Sequence, residues 1–368
     1  MKAFLNALQA GNRSGTGAYA QALARALSER LGEDALRIAW PRDLPHPGIP
    51  DSSVIYGPGG GFPRRLAADQ LRLPREARRW GADVLHYPAN IGVLRSRVPV
   101  VLTVHDLSFL REPQWFGAER AAYYRHGGNL TIPRAARLIA VSHATADDLV
   151  ELMHIPRDRI DVIHNGVDDR FRTVTDEEAE ACRERHGLPD RFFLYLGTLE
   201  PRKNLVRLAE AFSQVADSDA SQHLVLAGRI GWKCEALLRA VEASPARDRI
   251  HLPGFIDDAD APALLRAASV FVYPSLYEGF GLPVAEAMAA GVPVVTSSVS
   301  SLPEISGEAA LLVDPQSVDA IAAAMRRLWT DEKLRAERIQ RGLTRSRQFT
   351  WRRAAEHTIE SYRKALHG

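Results

Sequence analysis

YPSLYEGFGLPVAEAMAAGVP, from Tyr273 to Pro293, decides how the rest of the chain is read. Pro274 and Ser275 signal a turn, Glu278 supplies a carboxylate, and Gly279-Phe280-Gly281 brackets a loop ahead of Leu282 and Pro283. A proline has no backbone N–H to lose in the first turn of a helix, and its φ is already helical. The alanine-rich run Val284–Ala290 therefore predicts a helix, with Glu286 in its first turn and Gly291 as its C-terminal cap. Backbone N–H groups around Gly281 and Leu282 then point out of a helix N-terminus, a ready site for phosphate. Glu278 and Glu286 flank that site, and carboxylates beside a phosphate must face something else, for which sugar hydroxyls are the obvious ligands. Phosphate with hydroxyls on both sides describes a nucleotide-sugar. The competing structural reading is a glycine turn followed by an ordinary amphipathic helix with a dipole-stabilising glutamate.

Glu278-Gly279-Phe280-Gly281-Leu282-Pro283, followed by Glu286 with seven residues between the two glutamates, resembles the E-x7-E motif of retaining glycosyltransferases of family 4. The resemblance extends over nearly the whole chain and is most specific at residues 195–204 and 273–304. It implies an α/β chain of the GT-B class, two facing Rossmann-like domains with the active site in the interdomain cleft.

Composition sets the bounds. A length of 368 residues favours two domains, and 46% hydrophobic with 25% charged residues describes a globular protein with ample core. A formal net charge of +2, from 47 basic and 45 acidic residues, is too balanced for nucleic-acid binding by bulk electrostatics. The two cysteines, Cys182 and Cys234, have no partner spacing for a metal, read as inert thiols and suit a reducing, cytoplasmic setting. Met1 leads into the strand-like run Ala3–Leu8 without a signal-peptide layout, and no apolar run approaches the ~20 residues of a membrane span. Any membrane contact is then peripheral.

After Ala3–Leu8 come Gly11-Asn12-Arg13-Ser14-Gly15-Thr16-Gly17 and a helical pattern over Tyr19–Leu31. Strand, glycine loop and helix make an anion cradle, although a plain turn reads equally well. By resemblance, Gly15 and Gly17 approach the donor diphosphate and the acceptor. Leu36–Ala39, Ser53–Tyr56, Val84–Tyr87, Val98–Val104, Leu138–Val141 and Ile160–Ile163 read as strands, several continuously apolar as in a covered parallel sheet. Ala118–Ala136 and Thr145–His154 read as helices between them, giving a doubly wound order whose ligands collect at strand carboxyl ends. Val98–Val104 delivers His105 to such an end, and Val84–Tyr87 carries His86, a weaker candidate. Read alone, His105 is a satisfied structural histidine; by resemblance it sits beside the donor sugar. Phe62–Trp80 is arginine-dense (Arg64, Arg65, Arg72, Arg75, Arg78, Arg79), with Pro74 interrupting any single helix. A solvated face is its first reading, and attraction to anionic lipid or to a pyrophosphate-linked acceptor its second.

Residues 169–190 are charged and weakly apolar and read as a linker, with a short helix around Asp176–His186. A second α/β series follows: the strand run Phe192–Gly197, the loop Thr198-Leu199-Glu200-Pro201-Arg202-Lys203-Asn204, and the helix Leu205–Ala216. Adjacent cations between a strand end and a helix start read as a diphosphate clamp, and GTLEPRKN resembles the family's donor-phosphate element. Leu224–Ala227, Ile250–Leu252, Val270–Tyr273, Val292–Thr296 and Ala309–Val313 are the remaining strands. By resemblance Phe255 and Ile256 border the nucleobase; a core role is equally open for both.

The expected domains are 1–168 on the acceptor side, the 169–190 linker, 191–348 on the nucleotide-sugar side, and 349–368 as a helix crossing back to the first. The resemblance implies transfer of a hexose from a nucleotide diphosphate to an acceptor hydroxyl with retention at the anomeric carbon. The catalytic set is His105, Arg202, Lys203 and Glu278; Gly15, Gly17, Phe255, Ile256, Phe280, Gly281, Leu282 and Glu286 bind the donor. No cofactor or metal is expected. GTLEPRKN looks most like mannosyltransferases, which puts GDP-mannose first among donors and a lipid-linked or polysaccharide acceptor of a bacterial envelope pathway first among acceptors. The rivals are a sugar-nucleotide epimerase on the same architecture and a non-catalytic nucleotide-sugar-binding subunit.

Overall fold

The computed structural model describes residues 1–12, 15–57, 62–216, 219 and 221–367. Arg13 and Ser14 of the first glycine loop, the side chains of Phe62 and Pro63, and Gly368 lie outside the described residues. The chain forms two units, Met1–Gly166 with Thr350–Gly368, and Val167–Phe349.

The first unit is built on a parallel sheet of β1 (Ala3–Asn6), β2 (Leu36–Trp40), β3 (Val54–Tyr56), β4 (Val84–Tyr87), β5 (Val100–Val104), β6 (Arg137–Ala140) and β7 (Ile160–Val162). Its order is β3-β2-β1-β4-β5-β6-β7, with Leu5 opposite His86 across the central β1–β4 pair. All of β4 and β5 is buried, His86 and Thr103 included, as expected of largely apolar strands covered on both faces. The final helix, Trp351–His367, belongs to this unit and buries Ala354, Ala355, Thr358, Ile359 and Tyr362 at helical spacing. Lys364 pairs with Asp161 at 2.6 Å and Glu356 with Arg30 at 2.6 Å, fastening that helix at its exposed edges.

The second unit carries β8 (Phe193–Leu196), β9 (Leu224–Ala227), β10 (Ile250–Gly254), β11 (Val270–Tyr273), β12 (Val294–Ser297) and β13 (Ala310–Val313), all parallel, in the order β10-β9-β8-β11-β12-β13. This is the Rossmann order, and it reverses between β8 and β11. Every run expected as a strand holds one, with ends that shift by up to about two residues, as where β1 stops at Asn6 and β5 starts at Val100.

Three local expectations change. Residues 169–190 are not a linker: Arg170–Thr173 and the expected helix, Asp176–Arg185, both belong to the second unit, and Phe171, Ala179 and Cys182 are buried. A capping box, with Thr175 and Glu178 each bonding the other's backbone N–H, starts the longer helix. A helix is expected here; its buried face, Ala179 and Cys182 among charges, is so narrow that the segment reads as a linker. The helix expected from Tyr19 begins at Gly15, so Gly15 and Gly17 lie in its first turn rather than in a loop. Pro74 does not break the 62–80 segment, because helix Phe62–Ala67 runs through a π-type segment, Ala68–Arg72, into helix Leu73–Trp80. A wider turn before a proline relieves the clash between its ring and the preceding turn.

Candidate active site

At the β8–β11 junction the chain leaves β8 through Thr198–Asn204. Asn204 adopts φ 61°, and its Nδ2 donates to the carbonyls of Pro274 (3.1 Å) and Pro315 (2.6 Å). Leu276 N–H donates to the Arg202 carbonyl at 2.9 Å. These bonds fix the cation loop against the loop that follows β11. Lys203 Nζ donates to Glu278 Oε1 at 2.5 Å and to the Tyr273 hydroxyl at 2.6 Å, and lies 4.9 Å from the Tyr273 ring centre. Arg202 Nη1 reaches Glu278 Oε2 at 2.8 Å and the Tyr277 carbonyl at 2.9 Å, while its Nη2 reaches Glu200 Oε1 at 2.8 Å. Lys203, Glu278 and Glu200 are each less than one-tenth exposed. Burial alone would raise the Glu278 carboxyl, but Arg202 and Lys203 overcome it and hold it at about 2. Burial, with Arg202 beside it, presses Lys203 below the usual lysine range.

Arg202, Lys203 and Glu278 are thus brought together as expected neighbours, but Glu278 spends both oxygens on the two cations instead of standing open. Sequence reasoning gave no role to Glu200, which supplies the second negative charge against the two cations, or to Tyr273, which takes the lysine. A carboxylate two positions before an Arg-Lys pair was the available signal for the first.

Gly281 has φ 95°, and a Cβ there would fall 2.7 Å from Leu302 Cδ2, so the position requires glycine. The helix runs Leu282–Ala289, which places Glu286 beyond its first turn; stabilising the helix dipole is therefore not its task. Glu286 is half-buried, its carboxylate has no hydrogen-bond or ion-pair partner among the described residues, and it lies in the field of Arg170, Asp258 and Asp168. Burial pushes its carboxyl up to about 7. Glu278 N–H donates to Ser300 Oγ at 2.9 Å, and Ser301 Oγ lies 2.9 Å from the carbonyls of both Glu278 and Phe280. The glycine loop is therefore pinned by two serines that the sequence reading passed over. The Phe280 ring is buried edge-on to Phe349 at 5.6 Å, the place of a core group. Ile256 is buried as well, whereas Phe255 is half exposed.

In the first unit His105 follows β5. Its Nε2 lies 3.0 Å from the Pro88 carbonyl, which can only accept, so Nε2 carries the proton and Nδ1 is left as an acceptor. Burial lowers its basicity, keeping the ring neutral. Asn90 Oδ1 accepts the His105 N–H at 2.7 Å, and the Tyr19 ring stands edge-on at 4.7 Å. His86 is different: fully buried, it uses Nδ1 on the Tyr362 hydroxyl (2.7 Å) and Nε2 on Thr103 Oγ1 (2.9 Å), and burial lowers it to about 3. It is a structural histidine that locks the final helix to the sheet. A Cβ on Gly17 would lie 1.9 Å from the Asn12 carbonyl oxygen, so glycine is required there; Gly15 faces open space.

Cys182, His186 and Asp260 bring sulfur, nitrogen and oxygen atoms within 4.8 Å of one another, a set whose chemistry suits zinc. Asp260 is already engaged by Arg185 at 2.5 Å and His186 at 2.9 Å, so an ion pair accounts for the group. Among the described residues no helix is long and apolar enough to cross a membrane.

Two Rossmann-like units, with paired charges at the switch point of the second, define a protein of the GT-B class. Residues 13–171 match the family model described as Glycosyltransferase Family 4, and residues 177–345 the one described as Glycosyl transferases group 1. The O-antigen chain mannosyltransferase B of Escherichia coli is 33% identical over 82% of this chain and 80% of its own. The serotype-specific mannosyltransferase WbdA, also of Escherichia coli, is 31% identical over 75% of this chain but only 35% of its own length. HepE from Anabaena, solved in complex with UDP-glucose, superposes with a TM-score of 0.75 at 18% identity, covering 98% of this chain and 100% of that one. The chain belongs to this glycosyltransferase family and is a glycosyltransferase.

Proposed function

We propose that the chain is a retaining mannosyltransferase that moves mannose from GDP-mannose to a hydroxyl of a lipid-linked or polysaccharide acceptor in bacterial envelope glycan synthesis. The observation that carries this reading is the Arg202–Lys203–Glu278 cluster at the β8–β11 switch point, in a chain whose relatives are named mannosyltransferases. In breaking the anomeric C–O bond, the electron pair goes to the diphosphate, and the two positioned cations stabilise that charge. In the reading proposed, the diphosphate takes over Arg202 and Lys203, Glu278 turns to sugar hydroxyls, Glu286 accepts from the ribose, and Phe255 covers the base. His105, neutral with a bare Nδ1, accepts from a hydroxyl of the transferred sugar. The acceptor hydroxyl attacks on the face the diphosphate leaves, and its proton passes to a diphosphate oxygen. Arg64, Arg72, Arg75, Arg78 and Arg79 are exposed beside Leu71, which supports peripheral attachment to anionic lipid at the cytoplasmic membrane face.

A panel of nucleotide-sugars read by thermal unfolding tests the donor. A ligand at 100 times its dissociation constant adds about 2.7 kcal/mol of stability, so GDP-mannose should raise the unfolding temperature well above UDP-glucose at equal concentration. A shift with UDP-glucose and none with GDP-mannose would overturn the donor assignment.

A further inference from the structure

The carboxyl ends of β1 and β4, where the strand order of the first unit reverses, hold side chains that the donor reading leaves unused. Ligands of doubly wound sheets collect at such a point. The π-type segment Ala68–Arg72 passes over it, and single π turns within helices often mark functional positions. Asp69 lies in that segment. Asn6, the last residue of β1, donates its Nδ2 to Asp69 Oδ1 at 2.8 Å, and Tyr87, the last of β4, donates its hydroxyl to the Asp69 carbonyl at 2.6 Å. Gln70 next to it is held at both ends, by the Gly92 carbonyl and the Leu94 N–H, each at 3.0 Å. Both central strands therefore hold Asp69 at the switch point. Its Oδ2 has no hydrogen-bond or ion-pair partner among the described residues. Arg65, one helical turn earlier, acts electrostatically on this group, and Arg65 and Asp69 both act on Tyr123, half-buried on helix Ala118–Thr131; Arg65 Nη1 also reaches Asn12 Oδ1 at 3.4 Å.

A bond to Asn6 does not need a carboxylate. An amide would make it without the desolvation that raises the Asp69 carboxyl to about 6. Arg65 opposes a metal cation at this place, and Asp69 opposes a phosphate. A neutral polyol suits both, since the carboxylate accepts hydroxyl protons and the guanidinium donates to ring and hydroxyl oxygens. Tyr123 adds an amphipathic ring of the kind that packs on a pyranose face.

We propose that Asp69, with Arg65 and Tyr123, forms a pyranoside-binding subsite of the first unit that holds hydroxyls of the acceptor's terminal sugar. Its assignment to the acceptor rests on the glycosyl-transfer reading above; the binding itself does not. Octyl α-D-mannopyranoside is the probe, read by saturation-transfer NMR on the full chain. The parent should transfer saturation to the sugar-ring protons, and Asp69→Asn should weaken that binding about tenfold or more, as for loss of a hydrogen bond to a charged group. GDP-mannose signals should persist in the variant, which reports an intact fold; Arg65→Gln provides a second variant with the same expectation. Equal ring-proton saturation in parent and both variants, or none in the parent, overturns the proposal. Mannoside binding that depends on Asp69 but is never followed by transfer from any donor would leave this subsite standing and remove the proposed function instead.

Discussion

At the β8–β11 junction of the second unit, Arg202, Lys203, Glu200 and Glu278 satisfy one another within 2.5–2.8 Å. At the strand ends of the first unit, the polar groups stand apart: His105 is neutral with Nδ1 unpartnered among the described residues, and Asp69 keeps an open oxygen. The difference follows from what each place is asked to bind. A site for a diphosphate must keep buried positive charge in the absence of ligand, and only neighbouring carboxylates make that tolerable. A site for hydroxyls needs acceptors with spare lone pairs, and these are stable when neutral or half exposed. Charge at one switch point is closed up in ion pairs, and at the other Asp69 keeps an oxygen open in the field of Arg65.

The largest effect that would break this comparison is at His105. His105→Ala should lower transfer by about 10²-fold while leaving nucleotide affinity unchanged, because its Nδ1 is assigned to the sugar and not to the phosphate. His86→Ala offers the contrast. Both its ring nitrogens are bonded and the ring is wholly buried, so loss of stability should account for any loss of activity. Kinetics per folded molecule distinguish the two, and full activity in His105→Ala would remove that residue from the chemistry.

A smaller effect sharpens the role of Glu286. With a folded value near 7 against an ordinary 4.5, the folded state holds this proton more tightly than the unfolded chain. Its contribution to stability therefore falls as pH rises from about 4.5 to about 7, the sign opposite to that of Glu278, whose contribution is lost as pH falls towards about 2. Donor binding runs the other way at Glu286, since only the ionised carboxylate accepts from two ribose hydroxyls. The donor KM should fall as pH rises through about 7 in the parent, and Glu286→Gln should remove that dependence and leave KM a few-fold higher, about three- to tenfold. A parent KM flat across this interval would count against the ribose role.

The strands were legible because unbroken apolar runs such as Val270–Tyr273 and Leu224–Ala227 have few other ways to be buried. The Arg202-Lys203 pair and the two glutamates were legible as well, since their loops carry glycine and proline at positions that only strand–loop–helix geometry explains. Pairing was not. Nothing in the spacing of residues 200–203 and 278 says that Glu278 turns towards the cations, a matter of three-dimensional charge balance across 75 residues. That the expected helix near residue 176, Asp176–Arg185, packs into the second unit escaped because two small buried residues make a weak apolar signal among many charges. Asp69 escaped because one aspartate in an arginine-rich helix looks like solvation until its bonds to the ends of β1 and β4 are seen.

The central claim is that the cations at the β8–β11 switch point bind the donor's diphosphate. Calorimetric titration of GDP into the parent and into Lys203→Gln tests it directly, since the amide retains a donor for Glu278 and Tyr273 and loses only the charge. The parent should bind one GDP per chain, and the folded variant should bind about tenfold more weakly or worse, as expected for loss of a charge-assisted contact. Equal affinity in the two proteins, with the variant shown to be folded, would contradict the account.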